Sequence, residues 1–160
     1  MISKRLLLIL TVFLATMVLS IWILLFLQQQ KSGLDLYCST FLHFDNEKPS
    51  FAASVDISFR LQPDHSGNVA INGNLKGEGV LNVIARTVSF NYRIINNDEI
   101  ALSDMNYVKN TRDNTNDTLF RKYFFYVPEG TERVIRLRAS RNGYLIENEQ
   151  SPVFMCLNKY

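Results

Sequence analysis

The chain has 160 residues, 47% of them hydrophobic and 20% charged, with seventeen Lys and Arg against fifteen Asp and Glu. Lys4 and Arg5 account for the excess of two, so the chain from Lys31 onward is formally neutral. Phosphate binding draws its affinity from a net basic surface, so this composition argues against a direct nucleic-acid partner.

Leu6 to Leu27 contains no charged residue. At about 1.5 Å per residue a helix of that length reaches roughly 33 Å, enough to cross about 30 Å of hydrocarbon. Thr11, Thr16 and Ser20 can return their hydroxyls to the helix's own carbonyls and so do not forbid insertion. A cleaved signal peptide has a shorter apolar centre, about 7–15 residues, followed by a small-x-small site. Here the run ends in Gln28-Gln29-Gln30-Lys31, and an uncleaved anchor is expected. Cys38 lies too far along for a lipoprotein, and the glycine and glutamate of a pilin leader are missing. Positive residues are retained on the cytoplasmic side, so Lys4 and Arg5 place the amino terminus there and the remainder outside. Trp22, near the outer end of the span, suits the interface. The expected organisation is a cytoplasmic tail (1–5), a transmembrane signal-anchor helix (6–27), a short tether (28–35) and a periplasmic β-domain (36–160).

The roughly 130 residues past the anchor suit one domain with one core. Both cysteines, Cys38 and Cys156, lie in that part, one near each end. In an oxidising compartment an even pair reads as a disulfide, and the chain-entropy model gives about 4–5 kcal/mol for so long a loop. There is no Cys-x-x-Cys, and His43 and His65 are not spaced as ligands to either cysteine, so no metal site is expected.

Leu36 to Phe44 reads as a first strand, broken by Asp45-Asn46-Glu47-Lys48-Pro49. Val55, Ile57, Phe59 and Leu61 then alternate with Asp56, Ser58, Arg60 and Gln62, a strand with one wet and one dry face. Pro63-Asp64-His65-Ser66-Gly67 is turn chemistry, and Val69, Ile71, Gly73 and Leu75 resume the alternation in an antiparallel partner. Gly73, Gly77 and Gly79 mark a bend where a sheet curls toward closure, without the context of a phosphate loop. Val88, Phe90, Tyr92 and Ile94 form the dry face of another strand, and Glu99 to Lys109 alternates more weakly. Asn110 to Thr118 has no apolar residue and reads as a loop; Asp113, Thr115 and Asp117 are spaced like calcium ligands, but the glycine and terminal glutamate of such loops are missing.

Tyr123-Phe124-Phe125-Tyr126-Val127 is apolar on both faces and reads as a strand, buried on both sides or docking a partner on its outer face. Ile135, Leu137 and Ala139 alternate with Arg136 and Arg138, cations suited to a solvated face or to cross-strand pairs with Glu147 or Glu149. Asn142-Gly143 is a strong hairpin signal, and Pro152-Val153-Phe154-Met155-Cys156 is a last short strand pinned by the disulfide. No stretch beyond the anchor has a convincing 3.6-residue pattern. Short strands, regular turns and curling glycines predict a mainly β domain, a small antiparallel barrel or sandwich. Neither histidine sits in a nucleophile motif, G-x-S-x-G and H-E-x-x-H are absent, and the carboxylates are scattered, so binding without a cofactor is expected rather than catalysis.

The short basic N-terminus, the single span, Arg86-Thr87-Val88-Ser89-Phe90-Asn91-Tyr92 and the closing Pro152–Cys156 segment together resemble the FidL-like family of enterobacterial membrane proteins, over essentially the whole chain. The resemblance implies a bacterial inner-membrane companion of a ToxR-like transmembrane regulator, similar to ToxS-like accessory proteins. In pairs of that kind the two exported domains form a lipocalin-like barrel that takes up amphipathic molecules such as bile salts. It implies no catalytic residue. The expected docking surface is Tyr123, Phe124, Phe125 and Tyr126, or an open sheet edge; the expected core or pocket is Val55, Ile57, Phe59, Leu61, Val88, Phe90, Tyr92 and Ile94. An autonomous periplasmic binder or envelope-assembly factor without a transcriptional partner is the alternative.

Overall fold

The computed structural model describes residues 4–30, 33–46, 51–77, 79–124, 126–148 and 152–159. Helix α1 spans Lys4–Gln30, and its window Leu8–Leu27 has a mean hydropathy of 2.7 with none of it buried. A helix of a soluble core would bury one apolar stripe; this one is apolar all round and long enough to span a bilayer. Its hydroxyls are satisfied internally: Thr11 donates to the Leu8 carbonyl, Thr16 to that of Phe13 and Ser20 to that of Thr16, each at 2.9 Å. The helix runs past Leu27 to Gln30.

Eight strands follow: β1 (Leu36–Asn46), β2 (Phe51–Leu61), β3 (Ser66–Gly77), β4 (Val80–Ile94), β5 (Glu99–Lys109), β6 (Arg133–Ser140), β7 (Gly143–Glu147) and β8 (Pro152–Asn158). Each pairs antiparallel with the next and β8 returns to β1, which closes a barrel. Of the two architectures open to the sequence, the barrel is the one adopted. Period-two alternation sends Val55, Ile57, Phe59 and Leu61 of β2 and Val88, Phe90 and Tyr92 of β4 inward, all 6% exposed or less. Gly73, at φ +157°, shows how the wall bends: a Cβ there would collide with the Ser54 carbonyl of the neighbouring strand.

Two expectations need correction. Ile94 is 37% exposed rather than core, because the alternation carries it past the last layer of the interior. Tyr123, Phe124, Tyr126 and Val127 lie in no strand: Asp117–Tyr123 form a short helix, α2, with Phe124 as its C-cap. Asn116 accepts a bond from the Thr118 N–H at its start, Asp117 sits in its first turn and Arg121 and Lys122 in its last, which complements the helix dipole. The hairpin signalled by Asn142-Gly143 forms between β6 and β7, its turn on Arg141–Asn142 with Ser140 facing Gly143. Gly143 is needed not for a turn but because a side chain there would strike the Cys156 carbonyl.

The barrel has two unlike ends. At the foot lie the turns after β2, β4 and β6, and there the chain arrives from α1. Tyr92, 3% exposed, fastens that arrival: its hydroxyl accepts from the Leu34 N–H at 2.6 Å and donates to the Gln62 carbonyl at 2.8 Å. Tyr92→Phe leaves two part-buried backbone groups without that partner and is expected to cost about 0.5–1.5 kcal/mol in urea unfolding. It is further expected to raise proteolysis near residue 34; unchanged cleavage would dismiss the fastening. At the opposite end, the crown, the long β5–β6 connection folds α2 over the barrel.

Candidate functional site

The wall is uneven. β1 pairs with β2 along its whole length, from Leu36↔Leu61 to Asn46↔Phe51, but with β8 only at Cys38↔Asn158 and Ser39↔Leu157. β8 instead follows β7, through Tyr144↔Cys156, Leu145↔Met155 and Ile146↔Phe154. The Cys38–Cys156 disulfide, Cα–Cα 5.3 Å, staples the first strand to the last where they begin to part. Above it a seam runs toward the crown in which, among the described residues, neither facing edge has a ladder partner.

A second thin junction, β5 with β6, holds only Glu99↔Arg136 to Leu102↔Arg133, but the chain covers it. Beside it the Tyr107 hydroxyl accepts from the Val127 N–H at 2.8 Å, and burial is the main cause that raises its pKa. The β1/β8 seam has no such cover among the described residues.

Behind the seam lies a cavity of about 200 Å3. Ile57, Phe59, Val69, Ile71, Ile135 and Ile146 line its depth, Leu42 and Phe44 one lip and Val153 and Phe154 the other, with Tyr123 and Phe124 at the crown side. Arg133 and Asn148 are the polar residues in the lining. Phe44 is 46% exposed, so the cavity reaches solvent at that lip. The outer face of the seam is also apolar: Tyr37, Phe41, Val153, Met155 and Leu157 are 42–63% exposed.

The roof is held by a buried charge network. Arg86, 5% exposed, points into the barrel in phase with Val88 and Phe90. Its Nε donates to Asp113 at 2.9 Å, another nitrogen meets Asp117 at 2.8 Å, a third donates to the Thr115 carbonyl at 2.6 Å, and its guanidinium lies 4.5 Å from the centre of the Phe120 ring. Lys109 donates to the same Thr115 carbonyl at 2.8 Å. Burial alone pushes Asp113 up, but bonds from Arg86 and from the Ala85 and Thr115 N–H groups outweigh it and hold its carboxyl below the usual range. Asp113 and Asp117, spaced like cation ligands, are thus committed to an arginine.

Of the expected docking residues, Tyr123 stacks on Phe51 at 3.9 Å between ring centres, Phe124 on Phe120 at 5.6 Å, and Tyr126 lies 5.6 Å from Tyr107. They belong to the cap and the cavity roof more than to an outward surface; Phe125 lies outside the described residues, as does Glu149. The arginine row forms cross-strand pairs, Arg138 with Glu147 at 3.1 Å and Arg136 with Glu99 and Asp98. The Arg136 hydrogen bond, ahead of that from Asn96, lowers the Glu99 pKa. His43 Nδ1 sits 2.8 Å from Ser54 Oγ on the outer wall, away from the cavity, and His65 packs beside Tyr92 in the β2–β3 turn.

Reading the sequence missed the Arg86 network and the seam. Arg86 had a signal, since it keeps the parity of the buried positions Val88, Phe90 and Tyr92; the seam had none.

A family model described as "FidL-like putative membrane protein" matches residues 73–156, just over half of the chain. The chain belongs to the FidL-like family. The matched stretch takes in Arg86, the cap and Cys156 but not α1 or Cys38, so this match stops short of the whole-chain resemblance seen in the sequence. A membrane-spanning α1 accords with the family's description. No curated protein and no solved structure matches the chain.

Proposed function

We propose that this FidL-like protein is a non-catalytic accessory subunit of a membrane-bound ToxR-like regulator. In this reading α1 anchors it in the bacterial inner membrane with the amino terminus cytoplasmic, and the barrel stands in the periplasm. There it binds the regulator's sensor domain and stabilises or modulates it. The observation that supports the reading best is the cavity behind an incompletely zipped seam. Such a wall is suited to receiving a partner and, through the same opening, an amphipathic molecule such as a bile salt. A cavity of about 200 Å3 is below the roughly 300–1,000 Å3 typical of drug-sized ligands, so the site is proposed as shared, with the regulator completing it.

The test is crosslinking in the native membrane with a tagged full-length chain. Recovery of a single-span regulator with a winged-helix domain is expected, and taurocholate is expected to raise the melting temperature of the recovered pair more than that of the lone chain. Capture of envelope components only would favour the autonomous binder.

A further inference from the structure

Two features of the seam identify a partner that the regulator reading does not require. The first is direction. β1 runs from foot to crown and β8 from crown to foot, so the two edges that have no ladder partner among the described residues are antiparallel to each other. A single inserted strand would be antiparallel to one edge and parallel to the other. Only an even number of strands, oppositely directed, gives both edges the antiparallel ladder used in the rest of the barrel. The second is chemistry. Exposed edges are normally blunted by charge, proline within the strand, or a cover. β8 carries no charged residue from Pro152 to Asn158, with its proline at the very end, and the seam's outer face shows Phe41, Met155 and Val153 at 45–63% exposure.

From these we infer that, in the chain without its regulator, the seam is occupied by a second copy of the same chain. A two-fold axis parallel to the barrel axes sets two seams face to face. β1 of each copy then meets β8 of the other, and both ladders are antiparallel. Such an isologous contact uses one self-complementary surface twice and leaves no edge over. It also keeps both feet, where the chains arrive from α1, on the same side, as two chains anchored in one membrane require. A direct β1-to-β1 contact would instead be parallel in that setting. The two apolar cavities come to face one another across the axis, and Phe41 of one copy lies near Met155 of the other, which buries both.

The experiment uses the full-length chain expressed without any regulator and oxidised in the membrane. One tagged copy carries Phe41→Cys and a differently tagged copy Met155→Cys, both at exposed positions where folding is not at stake. A mixed disulfide of doubled mass bearing both tags is expected. Val108→Cys, 54% exposed on β5 away from the seam, is expected to give none with itself. Phe41→Asp in an otherwise unaltered chain is expected to convert the detergent-extracted dimer to a monomer that still unfolds in a cooperative thermal transition. The inference is overturned by a monomer in unaltered chains, by Val108→Cys crosslinking as readily as the seam pair, or by a seam adduct of any mass other than twice the chain. Each of these would leave the regulator reading standing, since that rests on capture in the native host.

Discussion

Reduction of the Cys38–Cys156 bond, or Cys38→Ala with Cys156→Ala, is expected to lower stability by about 4 kcal/mol and to open the barrel at one place. The bond joins residues 118 apart, and the entropy of closing a loop near 100 residues is worth about 4.7 kcal/mol in the chain model. Both cysteines are fully buried, and among the described residues only Cys38↔Asn158 and Ser39↔Leu157 connect β1 to β8 by ladder. A small domain has about 5–15 kcal/mol in total, so the reduced protein should lose a large share of its margin. Urea unfolding of the full-length protein in detergent, with and without reductant, reads the midpoint. Hydrogen exchange should show β1 and β8 losing protection first. An unchanged midpoint with two titratable thiols would mean that the interior packing alone closes the barrel.

Arg86→Met is the second substitution with a large expected effect. It leaves the buried Asp113 with only the longer, 3.8 Å ion pair to the half-exposed Lys109, and removal of one member of a buried pair costs about 3–5 kcal/mol. It also takes away the partner of Asp117 and of the Phe120 ring, so α2 should lift from the crown. A helix as short as Asp117–Tyr123 holds no structure of its own in water. Arg86→Met combined with Asp113→Leu should recover much of the loss, because an apolar pair needs no compensating charge. A double-mutant cycle in urea measures this, and strict additivity of the two single changes would refute the coupling. The same network sets an acid limit. With the Asp113 carboxyl held below its ordinary value near 3.9, its contribution is fully present above that value. It is lost as pH falls through the lowered folded value. Stability should therefore be flat with respect to this group from neutrality to about pH 5 and fall below about pH 4. The acid arm should flatten in the double variant.

The lesson of the cap is how short-range signals mislead. Tyr123–Val127 looks like a strand because its residues are aromatic and β-branched, yet the Asn116 cap and the docking of Phe120 on Arg86 turn Asp117–Tyr123 into helix. Propensity is a weak prior that tertiary contacts override. The Asn142-Gly143 signal likewise marks the right hairpin, while the demand on Gly143 comes from Cys156, a residue distant in sequence.

By itself the sequence determined what depends on neighbours along the chain. It placed the apolar run that becomes α1, the alternation that turns Val55–Leu61 and Val88–Tyr92 inward, and the pairing of the only two cysteines. Only the tertiary structure decided which strand edges are left over and what covers them. Alternation reports which face of a strand is dry, but the backbone groups along its edge are the same for every residue except proline. Whether an edge finds a partner is a property of the closed sheet. The seam between β1 and β8, the cavity behind it and the buried Arg86 network arise there, where residues far apart in sequence meet.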